Sequence, residues 1–135
     1  MVRRILLADD DADDRMLFEE VFSGLPEEKY QLHSVANGQE VVDFLKGTNN
    51  PVHLPDLIVL DQNMPVMNGK EAMEIIKSDQ RWRNIPIIIY STYNDRTFIQ
   101  DCAALGVAAV VSKPDSYDGY IQMINTFLKY TNKEV

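Results

Sequence analysis

The chain has 135 residues, 45% of them hydrophobic and 25% charged, with a formal net charge of −8. That is enough chain for one domain with one good core, and too acidic for a binder of nucleic acid or anionic lipid, since both depend on Lys and Arg contacts to phosphate. No apolar run is long enough for a membrane span, and no signal-peptide apolar core follows Arg3 and Arg4, so a cytoplasmic location is expected. Cys102 is the single cysteine, which excludes an intramolecular disulfide; it is expected as a small, half-buried helix residue.

Apolar runs alternate with amphipathic stretches along the chain. Residues 4–8 form a first short apolar run. Residues 15–22 place Leu17, Phe18, Val21 and Phe22 at helical spacing. Residues 31–36 are a weaker strand candidate, and residues 38–45 put Val41, Val42 and Leu45 on one helix face. The polar, proline-containing residues 48–55 lengthen the connection into a third strand at 57–60, which is fully apolar as a strand buried on both faces should be. Residues 68–77 predict a helix with Ala72, Met73, Ile75 and Ile76 apolar. Trp82, between Arg81 and Arg83, is expected partly buried in an exposed loop. Residues 85–90 are apolar and largely β-branched. A helix over 95–105 should end at Gly106 in a left-handed cap. Residues 107–111 make a fifth strand, and 117–130 a last helix with Tyr120, Ile121, Ile124, Phe127 and Leu128 inward.

This is a (βα)5 pattern. It requires right-handed crossovers and a parallel sheet covered on both faces, with ligands bound at the carboxyl ends of the strands. At that edge the sequence gathers Asp9, Asp10 and Asp11, then Asp61, then Ser91 and Thr92, then Lys113. Clustered carboxylates repel one another unless something neutralises them. Asp13 or Asp14 is expected to cap the first helix, but capping does not account for Asp61 directly after a buried strand. Two acidic strand ends facing each other suit a hard divalent cation such as Mg²⁺, which takes oxygen ligands and keeps waters. Lys113, ahead of Pro114, should point into the same edge and pair with Asp61 as a point charge. Gly69 should permit a tight loop before the third helix. His33 and His53 are expected as ordinary surface or edge residues.

The strings "ADDD", "LIVLDQNMPVMNG", "IPIIIYST" and "VVSKP", in this order and spacing, closely resemble the receiver domain of two-component response regulators across essentially the whole chain. The resemblance implies a doubly wound, flavodoxin-like (βα)5 sandwich with a five-stranded parallel sheet of order 2-1-3-4-5, as a single receiver domain over residues 1–135 with no output domain. It implies a function as a phosphorelay response regulator rather than an enzyme. Asp61 would be the phosphoacceptor; Asp9 and Asp10 would hold Mg²⁺, Asp10 directly and Asp9 largely through water. Asn63 would add its backbone carbonyl as a third protein ligand. Ser91 matches the switch hydroxyl and Lys113 the family lysine, with the Lys113–Pro114 bond expected to be cis. The implied partners are a histidine kinase, a downstream or phosphotransfer protein, and a second copy through the fourth helix, fifth strand and fifth helix. Ile99, Tyr117 and Tyr120 are candidates for that surface. The strings "DDDADDR" and "KPDSYDGY" are similar to small receivers paired with bacterial phytochrome-type kinases.

One departure stands out. The family often carries an aromatic residue three positions before the lysine, and this chain has Val110. Output through loop and helix movement is expected instead. Asn63 and Tyr93 occupy the two positions that tune dephosphorylation in the family, and a Tyr93 ring could shield an acyl phosphate from water. Two other readings remain. One is a Mg²⁺-dependent aspartyl phosphatase of the haloacid dehalogenase type, which needs an Asp two residues after the acceptor, where this chain has Asn63. The other is a degenerate receiver acting only as a binding module.

Overall fold

Leu57, Ile58, Val59 and Leu60 have no solvent exposure, because the strand they form lies at the centre of a sheet covered on both sides. The computed structural model describes residues 2–92 and 95–131. Its strands are β1 (Arg3–Ala8), β2 (Tyr30–Val35), β3 (Leu57–Asp61), β4 (Ile87–Ser91) and β5 (Ala109–Ser112). Its α-helices are α1 (Ala12–Ser23), α2 (Gly38–Lys46), α3 (Gly69–Lys77), α4 (Arg96–Ala104) and α5 (Tyr117–Leu128). The strands pair in parallel in the order β2-β1-β3-β4-β5, the expected flavodoxin-like topology. The order reverses between β1 and β3, so the carboxyl ends of those strands bound a crevice.

Side-chain alternation splits the core into two layers. Leu6, Ile58, Leu60, Ile87 and Ile89 pack with Val41 and Leu45 of α2, Met73 and Ile76 of α3, and Cys102 of α4. Ile5, Leu7, Leu57, Val59, Ile88 and Tyr90 pack with Phe18 of α1 and with Tyr120, Ile124 and Phe127 of α5. Phe18 is the hub of the second layer, its ring 5.7 Å from Tyr90, 6.3 Å from Tyr120 and 6.5 Å from Phe127. Truncating a ring so enclosed costs about 3–5 kcal/mol.

Several expectations change in detail. Trp82 is in the first core layer at 2% exposure, because the turns after α3 fold it inward with Ile85 while Arg81 covers its ring. Cys102 is fully buried, and Ile75 is exposed on the outer side of α3. Of the last helix, Ile121 and Leu128 are only half-buried. The cap of α1 is Asp11, which accepts from the backbone N–H groups of Asp13 and Asp14; this leaves both of those side chains free for other work. Asn37, Asn68, Asp95 and Ser116 cap the other helices, Asn68 through a reciprocal capping box with Glu71. Gly106 ends α4 at φ +90, as the sequence requires. His33 stacks on Phe44 at the β2 edge. No cis peptide bond occurs among the described residues, so the Lys113–Pro114 bond is trans, the ordinary preference of an X-Pro bond.

Candidate functional site

Asp9 follows β1, Asp61 ends β3, Ser91 ends β4 and Lys113 follows β5, so parallel pairing alone brings all four to one edge. Asp9 and Asp61 are buried, while Asp10 is exposed at the rim. One carboxylate oxygen from each of Asp9, Asp10 and Asp61 lies within 4.8 Å of the others, the geometry of a group that can hold a metal ion. Gly69 serves this edge by close approach: a Cβ there would stand 2.6 Å from the Asp61 carbonyl oxygen.

Lys113 Nζ sits among carboxylates. It donates to Asp61 Oδ2 at 3.2 Å, to Asp9 Oδ2 at 3.2 Å and to Asp14 Oδ2 at 2.8 Å. Its side chain is only 10% exposed, and its ammonium lies 4.8 Å from the centre of the Tyr90 ring. The Asn63 N–H donates to Asp61 Oδ1 at 3.2 Å, and the Asn63 side-chain amide lies 3.5 Å from Ser91 Oγ. The remaining oxygens of Asp9 are also used. Its Oδ1 accepts from the Asp11 N–H, its Oδ2 also accepts from the Tyr90 hydroxyl, and its backbone carbonyl accepts from Arg15 Nη1.

Burial pushes the Asp61 carboxyl up to about 7; the neighbouring Asp9 adds to this, and Lys113 and the Asn63 N–H oppose it. Burial likewise raises Asp9 against the pull of Tyr90, the Asp11 N–H and Lys113. Asp14 goes the other way: burial alone would raise it, but Lys113 and Tyr120 together hold it below the usual carboxylate range. Lys113 is raised, because its three carboxylates outweigh the burial that would lower it. Three carboxylates thus face one ammonium, and two of them, Asp9 and Asp61, share an oxygen cluster with Asp10. Their hard oxygen donors, with Asp10 open to solvent, fit a divalent cation such as Mg²⁺.

Of the strand-end residues expected at this edge, Asp9, Asp10, Asp61, Ser91 and Lys113 meet, whereas the Asp11 side chain caps α1 and Thr92 is exposed. Three participants were not anticipated. Asp14 was expected to cap a helix, Tyr120 to pack or face outward, and Tyr90 to be plain strand core. A lone tyrosine in an aliphatic buried strand was the available signal, since a buried phenol needs a hydrogen-bond partner. Of the surface candidates, Ile99 and Tyr117 are exposed but Tyr120 is buried, its hydroxyl turned inward to Asp14. Tyr93 lies outside the described residues.

A strand-edge acid cluster facing a lysine and a hydroxyl, on a (βα)5 sheet of this order, defines a receiver-type signalling module. The model of the response regulator receiver domain matches residues 5–125, and the chain belongs to that family, the receivers of two-component systems. Among curated relatives, sporulation initiation phosphotransferase F of Bacillus subtilis is 31% identical over 128 residues, spanning 95% of each chain. The polar-differentiation response regulator DivK of Brucella anthropi is 26% identical, covering 95% of this chain and 98% of its own. Among solved structures, the phosphorylated cyanobacterial phytochrome response regulator RcpA superposes with a TM-score of 0.84 at 25% identity, over 96% of this chain and 94% of that one. The Mn²⁺-bound response regulator Rcp1 shares the fold with a TM-score of 0.83 at 24% identity, over 98% and 96%. Among the described residues, no helix is long and apolar enough to cross a membrane.

Proposed function

We propose that Asp61 accepts a phosphoryl group from the phosphohistidine of a histidine kinase, and that the chain works in the cytoplasm as a stand-alone receiver. The observation that carries this reading is the Lys113 ammonium 3.2 Å from Oδ2 of a buried Asp61 that shares an oxygen cluster with Asp9 and Asp10. Relatives matched over almost their whole length, including sporulation initiation phosphotransferase F and DivK, support the stand-alone role.

An Asp61 carboxylate oxygen attacks phosphorus in line, the P–N bond to the donor imidazole breaks, and its electron pair stays on the ring nitrogen. Lys113 neutralises charge on the transferring oxygens, and the Ser91 hydroxyl donates to one of them. Asp9, Asp10 and Asp61, with the Asn63 backbone carbonyl, would hold Mg²⁺, which when bound supplies further neutralisation of those oxygens. The Asn63 N–H keeps the acceptor carboxylate oriented. The product is an acyl phosphate, and its added charge beside Ser91 biases the surrounding loops. Val110 is half-buried and has no aromatic ring to rotate with that charge, so the switch runs through backbone and helix movement. Exposed Ile99 and Tyr117 suit a docking surface for a downstream protein or a second copy.

The test is incubation with acetyl phosphate and Mg²⁺. The expected result is chelator-sensitive incorporation of one phosphoryl group per chain, with no catalytic turnover of a generic phosphomonoester. Sustained turnover would favour the haloacid-dehalogenase reading, and no incorporation would favour a degenerate receiver.

A further inference from the structure

Lys113 has three N–H donors, and all three are engaged before any phosphoryl group arrives. The partners differ in how readily they can let go. Asp61 is the acceptor itself. Asp9 has no solvent exposure and is fixed by the Asp11 N–H and the Tyr90 hydroxyl, so it cannot turn towards water. Asp14 makes the shortest contact, 2.8 Å, yet its side chain is 18% exposed and sits in the first turn of α1 rather than on a strand. Its other oxygen accepts from the Tyr120 hydroxyl at 3.1 Å. Tyr120 belongs to α5 and packs edge-on against Phe18 of α1.

We propose that Asp14 is a positioning residue that clamps Lys113 in the resting protein, gives it up to the phosphoryl group, and passes the change to α5 through Tyr120. The inference rests on Asp61 being the phosphoacceptor. A phosphoryl group brings close to two negative charges, so it outcompetes a single carboxylate for the same ammonium. Asp14 is the partner that can rehydrate at least cost. Once released it remains tied to the Tyr120 hydroxyl, and the α1–α5 contact is where its movement is felt. This route to the surface uses none of the side chains at position 110.

The test uses the full chain and its Asp14→Asn, Asp13→Asn and Tyr120→Phe variants. Asp13→Asn removes the same charge from the same helix turn without touching Lys113. Without phosphodonor, acylation of the Lys113 amine by a small reagent, read by peptide mass spectrometry, should be several-fold faster in Asp14→Asn than in the parent or Asp13→Asn. Tyr120→Phe should show a smaller gain in the same direction. Equal rates in the parent and Asp14→Asn would overturn the clamp. With acetyl phosphate and Mg²⁺, the ring resonance of ¹³C-tyrosine that Tyr120→Phe deletes should shift in step with the labelled fraction of Asp61. That shift should vanish in Asp14→Asn although it still labels. A labelled parent with a still Tyr120 signal would overturn the exchange alone. No label on the parent would overturn the phosphoacceptor reading and the exchange with it, while the acylation rates still judge the clamp.

Discussion

The Tyr90 hydroxyl donates to Asp9 Oδ2, reaching from β4 past β3 to the end of β1. Tyr90 pairs in register with Asp61, so its ring lies against the acceptor strand as well. A buried carboxylate that loses such a donor keeps its desolvation penalty without the compensating bond. Tyr90→Phe should therefore destabilise the metal-free protein by about 1.5–3 kcal/mol. Urea unfolding would show it as a lower midpoint at unchanged slope. An unchanged midpoint would mean that the hydroxyl does not support Asp9.

The shift at Asp61 has a defined consequence for stability. Its carboxyl is raised from an ordinary value of 3.8 to about 7, so between those limits the folded state binds a proton that the unfolded state has lost. Stability from this group is present at low pH and falls as pH rises towards about 7. In chelator, the melting temperature of Asp61→Asn should gain on that of the parent steadily over this window. Parallel curves would show that Asp61 titrates as an ordinary carboxylate.

Asp10 lies within the same 4.8 Å oxygen cluster but on the exposed side of it. Asp10→Asn relieves repulsion in the metal-free state and removes a ligand from the metal-bound one. The variant should melt higher than the parent in chelator, and Mg²⁺ should raise its melting temperature less. A lower metal-free melting temperature would count against crowding as the source of instability.

Val66 adopts φ +70 in the loop between β3 and α3 and is 80% exposed. A β-branched residue in the left-handed region carries strain of about 1–3 kcal/mol. Asparagine tolerates that conformation, so Val66→Asn should stabilise the protein by about 1 kcal/mol in urea unfolding. A loss of stability would show that Val66 makes a contact worth more than its strain.

The strand ends were legible in the sequence because each is an apolar run stopping at one polar residue, and parallel pairing then fixes which edge they share. Asp61 after "LIVL" and Lys113 after "VVS" are read this way, and the structure puts them 3.2 Å apart. What sequence could not rank was the use of several acids close together. Asp11, Asp13 and Asp14 are alike in composition; only the helix geometry gives the cap to Asp11 and turns Asp14 to Lys113. Trp82 was misplaced because its charged neighbours look like a loop, whereas the turn beneath β4 folds the ring inward. Tyr120 has helical spacing for core packing, and periodicity is blind to where a hydroxyl ends up.

The central claim is that one carboxylate, Asp61, takes the phosphoryl group. An acyl phosphate is reduced by borohydride to an alcohol, which marks the modified aspartate as homoserine. After treatment with acetyl phosphate and Mg²⁺, then borohydride, peptide mass spectrometry should find homoserine at position 61 and at no other aspartate, with none in protein treated in chelator. Homoserine at Asp9, Asp10 or Asp14 with Asp61 intact would contradict the account.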